Sequence, residues 1–89
     1  MRARLVVISG RVQGVGYRDW MVSTAQELGV EGWVRNIRGG AVEALLYGET
    51  DAVEELLRAC RRGPRFASVS RIEESWAQPP TEPGFFRRS

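Results

Sequence analysis

Two adjacent glycines near the middle of the chain constrain its fold more than any other feature. Gly39 and Gly40 separate two runs with strand character, residues 31–38 and 41–47. Both central positions of a tight two-residue hairpin can take positive φ, a conformation that glycine adopts readily. The sequence therefore predicts two consecutive antiparallel strands joined by Gly39-Gly40.

A segment with helical spacing lies on each side of this hairpin. The upstream positions are Met21, Thr24, Ala25 and Leu28, and the downstream positions are Val53, Leu56, Leu57 and Cys60. We expect Gly29 to end the first helix in the left-handed conformation and Gly63-Pro64 to end the second. Thr50 or Asp51 is the predicted N-cap of the second helix.

Further strand-like runs lie at residues 5–8, 67–77 and 85–87. In the run at 67–77, Val69 and Ile72 fall on opposite faces of a regular strand, and a bulge near Ser70-Arg71 would return them to one face. The predicted order is β-α-β-β-α-β. This is the α+β ferredoxin-like pattern, one antiparallel sheet with both helices on one face.

Length and composition narrow the class of protein. The 89 residues suffice for one hydrophobic core, so we expect a single domain over residues 1–89. No run reaches the roughly 18 apolar residues of a membrane span. Cys60 is the single cysteine and histidine is lacking, so the chain offers no internal disulfide and few zinc ligands. We expect a cytoplasmic protein with no metal or other cofactor.

The positive charge is mild and comes from arginine alone. A formal net charge of +2 favours an anionic partner, yet such an excess is common on ordinary surfaces. An RNA-recognition domain also needs stacking aromatics on its third strand, where residues 41–47 offer only Tyr47. We expect no nucleic-acid or membrane partner.

Residues 10–18 read Gly-Arg-Val-Gln-Gly-Val-Gly-Tyr-Arg and join the first strand to the first helix. Amide hydrogens in such a turn, together with the helix dipole, attract an anion. Gly14 and Gly16 let a phosphate approach the backbone, and Arg18 can bind two of its oxygens. Taken alone, the loop also fits glycines that only turn the chain and an exposed Arg18. The Walker and Rossmann glycine spacings are not met.

Residues 10–18 resemble the first signature of the acylphosphatases at every position, and residues 32–48 resemble the second. The resemblance extends over nearly the whole chain. It implies that the substrate-binding residues are Gln13, Gly14, Val15, Gly16, Tyr17 and Arg18. It also implies that Arg18 and Asn36 are catalytic, with the Asn36 amide positioning a water. Alone, Asn36 also fits a turn residue with an unusual backbone angle.

The expected activity is hydrolysis of acyl phosphates by direct attack of water. Without histidine there is no Ser-His or Cys-His nucleophile pair, and a carboxylate leaving group needs little help from an acid. We expect a monomer that takes a small acyl phosphate and binds inorganic phosphate or sulfate as a product-like ligand. The alternative is an inactive ferredoxin-like module that binds phosphate or RNA. One departure from the family is Gly84-Phe85-Phe86-Arg87, with phenylalanine where many members have a β-branched residue.

Overall fold

The computed structural model describes residues 2–89, which form five strands and two α-helices. The strands are β1 (Ala3–Arg11), β2 (Glu31–Asn36), β3 (Val42–Tyr47), β4 (Ser68–Ala77) and β5 (Phe85–Arg88), and the helices are α1 (Tyr17–Leu28) and α2 (Thr50–Arg62). The strands form one sheet in the order β4-β1-β3-β2-β5. The predicted β-α-β-β-α-β order is confirmed.

The sheet is antiparallel from β4 to β2, as predicted, whereas β5 runs parallel to β2. Strands β4 and β5 lie at opposite edges, so residues 78–84 carry the chain across the end of the sheet. The Gly32 amide donates to the Gly84 carbonyl at 3.0 Å, which aligns β5 with β2. The added parallel pair places the C-terminal end of β5 beside that of β2.

Side chains alternate between a face covered by the helices and an open face. On β1, Val6 and Ile8 are fully buried, while the intervening Val7 is only partly buried. The fully buried positions pack with the apolar stripes of both helices, which include Met21 of α1 and Leu56 of α2. The predicted stripe of α2 is therefore confirmed, including Cys60 as a core residue.

The two helices end as expected, but the start of α2 differs from the prediction. Gly29 terminates α1 with φ 73°, and Gly63 terminates α2. The predicted cap at Thr50 or Asp51 is wrong, because Thr50 is the first helical residue and Glu49 occupies the cap position. The Glu49 side chain makes no capping hydrogen bond, and its carbonyl accepts from the Val53 amide at 3.0 Å.

The predicted bulge in β4 is confirmed. Ser9 pairs with Arg71 and Gly10 pairs with Val69, so Ser70 is the extra residue. Gly10 has φ 124°, and a Cβ atom there would collide with the Ser68 carbonyl oxygen. The bulge thus requires glycine at position 10, and it returns the side chain of Val69 to the core.

The connection between β2 and β3 is longer than the predicted two residues. The last pair of the ladder is Asn36 with Val42, and the Ile37 amide donates to the Ala41 carbonyl at 3.0 Å. Gly39 and Gly40 have φ 86° and 87°, so the predicted positive φ angles are confirmed. A side chain from another loop also binds the carbonyl oxygens of Ile37 and Ala41.

Candidate active site

Gln13, in the loop between β1 and α1, binds both ends of the connection between β2 and β3. Its amide nitrogen donates to the Ile37 carbonyl at 2.9 Å and to the Ala41 carbonyl at 2.8 Å. The Ala41 carbonyl thus accepts from both the Ile37 amide and Gln13, and the Ile37 carbonyl accepts from Gln13. Gln13 therefore ties the loop that follows β1 to the loop that follows β2.

The chain takes an alternating backbone conformation just before α1. Gly14 and Gly16 have φ 75° and 79°, and Val15 between them has negative φ, since only glycines take positive φ in the described residues. Such alternation turns successive amide hydrogens toward one concave side. No side chain in residues 2–89 caps the start of α1 at Gly16. The first amides of the helix therefore remain available for an anion.

A cavity of about 210 Å³ lies at this helix start. It is lined by Val12, Gly14, Gly16, Tyr17, Arg18, Asp19, Asn36 and Arg87. Strands β1 and β2 are both antiparallel to β3, so their C-terminal ends meet at the same end of the sheet. This topology brings Arg18 and Asn36, predicted from two separate motifs, into one cavity.

Arg18 lies in the first turn of α1 and is partly exposed. Its Nη1 atom donates to the Arg88 carbonyl at 3.3 Å, a long hydrogen bond. Among residues 2–89, the Arg18 side chain makes no other hydrogen bond to a protein group. Most of its N–H donors are thus free for ligand oxygens.

Asn36 is the last residue of β2, where it pairs with Val42. Its φ is not positive, so the alternative reading as a turn residue with an unusual backbone angle is wrong. In the part of the chain that the structure describes, its side-chain amide forms no hydrogen bond to protein. An unengaged amide at a cavity wall can accept from a water and donate to an oxyanion.

Three of the side chains expected to bind substrate either lie outside the cavity or bind other groups of the protein. Gln13 and Val15 do not line the cavity, and Gln13 is committed to the loop after β2. The ring of Tyr17 is buried, and its hydroxyl donates to the Cys60 carbonyl at 2.6 Å. Any contact of these residues with substrate must therefore come mainly from their backbone amides.

The Cys60 thiol is the strongest nucleophile type in the chain, and it does not reach the cavity. It is fully buried on α2, and burial raises its pKa to about 12. The thiol is therefore protonated at neutral pH and unreactive in the folded protein. Burial also raises the pKa of Tyr17.

Three lining residues, Val12, Asp19 and Arg87, were not among the predicted site residues, and the last two are charged. Sequence reasoning proposed neither Arg87 nor Asp19 as a site residue. The Arg87 Nη1 atom lies 2.7 Å from Asp19 Oδ1. Arg87 pairs with Val34 in the parallel register of β5, which places it on the helix-covered face. No local signal in the sequence reveals that pairing.

Fold and cavity together define a class of protein, the small ferredoxin-like domains with a cavity at an uncapped helix start. Within that class, the model of the acylphosphatase family matches residues 4–87. An acylphosphatase of Acidiphilium cryptum (strain JF-5) is 58% identical over 89 residues, covering 100% of this chain and 98% of that protein. The chain belongs to the acylphosphatase family and is a hydrolase of acyl phosphates.

Solved structures agree with this assignment. The structure of an acylphosphatase from Coxiella burnetii superposes with a TM-score of 0.91 at 33% identity, covering 98% of this chain and 92% of that one. The crystal structure of acylphosphatase from Bacillus subtilis gives a TM-score of 0.88 at 30% identity, covering 98% and 97%. The ferredoxin-like prediction is therefore confirmed. Within residues 2–89, no helix has the length and apolar character needed to cross a membrane.

Proposed function

We propose that the loop of residues 13–18 holds the phosphoryl group of an acyl phosphate and that Asn36 orients the attacking water. The observation that carries this assignment is the shared cavity, which joins the uncapped start of α1, Arg18 and Asn36. Backbone amides from Gln13 to Tyr17 supply the cradle. Arg18 adds a planar group with several donors that suits phosphate oxygens.

Hydrolysis then requires one displacement at phosphorus. The water oxygen attacks in line with the bond between phosphorus and the acyl oxygen, and that bond breaks as the new one forms. The carboxylate leaves with the bonding electron pair, and the protons of the water stay on the phosphate product. Loop amides and Arg18 stabilise the charge on the equatorial oxygens. Asn36 accepts a hydrogen bond from the water.

Neither a metal nor a covalent intermediate has a part in this proposal. The acidic side chain at the cavity, Asp19, is engaged by Arg87, and the Cys60 thiol is buried away from it. We propose a monomer with a single domain over residues 1–89, which binds inorganic phosphate or sulfate as product-like ligands and uses no nucleic acid. Its free thiol is compatible with the reducing cytoplasm.

The assignment is tested by assaying benzoyl phosphate beside an aryl phosphate monoester, with and without EDTA. We expect rapid release of benzoate, little cleavage of the monoester and full activity in EDTA, with inorganic phosphate as a competitive inhibitor. The monoester is the matched control because it has the same phosphoryl group and a poorer leaving group. Loss of activity in EDTA, restored by Mg²⁺ or Zn²⁺, would refute the metal-free mechanism.

A further inference from the structure

The cavity wall carries an ion pair that the proposed mechanism does not use. Asp19 comes from the first turn of α1, and Arg87 comes from β5. Their side chains are 71% and 48% exposed, and both residues line the cavity with Arg18. Among the lining residues, Asp19 is the only carboxylate and Arg87 is the second guanidinium.

The contact with Asp19 leaves most N–H donors of Arg87 free to bind an anion. A single pair of atoms makes the hydrogen bond, Arg87 Nη1 with Asp19 Oδ1 at 2.7 Å. A guanidinium has five N–H donors, and an anion in the cavity presents the same kind of oxygen acceptor as the carboxylate. Asp19 and a bound phosphoryl group therefore compete for the Arg87 guanidinium.

We propose that Arg87 is a second anion-binding residue of the site and that Asp19 weakens anion binding by masking its charge. This inference rests on the proposed placement of the phosphoryl group beside Arg18. The wild-type lining carries two positive charges and one negative charge. Removing Asp19 exposes the full charge of Arg87, whereas removing Arg87 leaves an unpaired carboxylate facing an anionic ligand.

A purely structural role for the pair predicts different results. Asp19 lies in the first turn of α1, where a carboxylate stabilises the helix dipole. The pair also links α1 to β5. If that were its whole purpose, Asp19→Asn and Arg87→Gln would both lower the melting temperature and leave the affinity for phosphate unchanged.

The experiment measures the inhibition constant of inorganic phosphate, together with KM and kcat for benzoyl phosphate. We expect Asp19→Asn to bind phosphate about fivefold more tightly and Arg87→Gln to bind it about fivefold more weakly, which is what one unit charge a few ångströms away supplies in solvated surroundings. The double variant should lie between them. KM should follow the inhibition constant, with kcat changing less.

Salt and a second variant at position 87 sharpen the test. The gain in Asp19→Asn should shrink as ionic strength rises, because solvent-exposed charges are screened. Arg87→Lys keeps the positive charge and should retain part of the affinity that Arg87→Gln loses. Weaker phosphate binding in Asp19→Asn would overturn the masking role, since it would make Asp19 a support for Arg87.

A matched control pair lies on β4, where Arg71 Nη2 is 2.8 Å from Glu73 Oε2 and both side chains are exposed. Glu73→Gln and Arg71→Gln make the same charge changes away from the cavity, and they should leave the inhibition constant unchanged. If they shift it as much as the changes at positions 19 and 87, the effect is one of net charge and the inference fails.

Arg18→Ala separates this inference from the assignment of the site. If Arg18→Ala abolishes phosphate binding while Asp19→Asn and Arg87→Gln have no effect, only the inference about the pair is wrong. If Arg18→Ala binds phosphate normally, both the placement of the phosphoryl group and the inference about Asp19 and Arg87 are wrong.

Discussion

Helices α1 and α2 both begin without a capping side chain in the described part of the chain, so each leaves amide hydrogens that its own helix does not bind. Their surroundings differ. The start of α1 follows a glycine at φ 79° and faces a cavity shared with Asn36. The start of α2 follows Glu49, and its first residues, Thr50 and Asp51, are exposed.

A helix start therefore becomes a site only where other elements converge on it. At α1 the ends of β2 and β5 supply Asn36 and Arg87, and the preceding loop supplies two glycines. The first-turn carboxylate of α1, Asp19, is paired with Arg87, whereas Glu49 and Asp51 at the start of α2 make no ion pair within residues 2–89. Carboxylates at that position stabilise the helix dipole themselves and repel an anionic ligand.

Arg18 should give the largest effect of any single replacement. We expect Arg18→Ala to lower kcat/KM for benzoyl phosphate about 10³-fold, because two or more hydrogen bonds to the transition state are lost. Arg18→Lys should recover little of this, since an ammonium lacks the planar fork. Arg58→Ala removes an exposed arginine from α2 and should leave kcat/KM near the wild-type value. Near-normal efficiency in Arg18→Lys would make Arg18 a general electrostatic contributor.

Asn36→Ala should have the second-largest effect. We expect kcat to fall about 10²-fold, the typical cost of deleting one preorganised hydrogen-bonding group. Inhibition by phosphate and the melting temperature should change little, because the amide makes no hydrogen bond within residues 2–89. Gln26→Ala, which removes an exposed amide from α1, is the control. A variant that is destabilised but retains kcat would remove Asn36 from the catalytic residues.

The glycines at the two ends of α1 allow a matched test of the loop. Gly16 and Gly29 have φ 79° and 73°, and a Cβ at either position meets no atom within 4 Å. Alanine at either position should cost about 1–2 kcal/mol of stability because of the left-handed conformation. The two melting temperatures should fall by similar amounts, whereas only Gly16→Ala should also weaken phosphate binding. Equal phosphate inhibition in both variants would contradict the role of the loop.

The smallest effect is expected at Cys60 on α2. A thiol reagent at pH 7 should leave the turnover of the folded enzyme unchanged, because burial raises the pKa of the thiol from 9.0 to about 12. The free energy of unfolding should fall as the pH rises above about 9, since the unfolded chain then loses a proton that the native state keeps. Inactivation that proceeds faster than unfolding would show that Cys60 contributes to catalysis.

Much of the fold follows from local patterns. Apolar spacing is a property of neighbouring residues, and it locates α2 through Val53, Leu56, Leu57 and Cys60. The bulge at Ser70 was likewise deducible, because Val69 and Ile72 cannot face one core on a regular strand. The Gly39-Gly40 pair did not reveal the length of the β2–β3 connection, whose ends are also hydrogen-bonded by Gln13, a side chain from another loop.

The sequence by itself determined the order of the elements, the family, and the expectation that Arg18 and Asn36 act together, because all of these depend on short stretches of chain. Only the tertiary structure decided that β5 runs parallel to β2 and that Arg87 meets Asp19 at the cavity. Those two residues are 68 positions apart in sequence. Contacts at such separations are set by how the whole chain packs, and no local pattern of residue types encodes them.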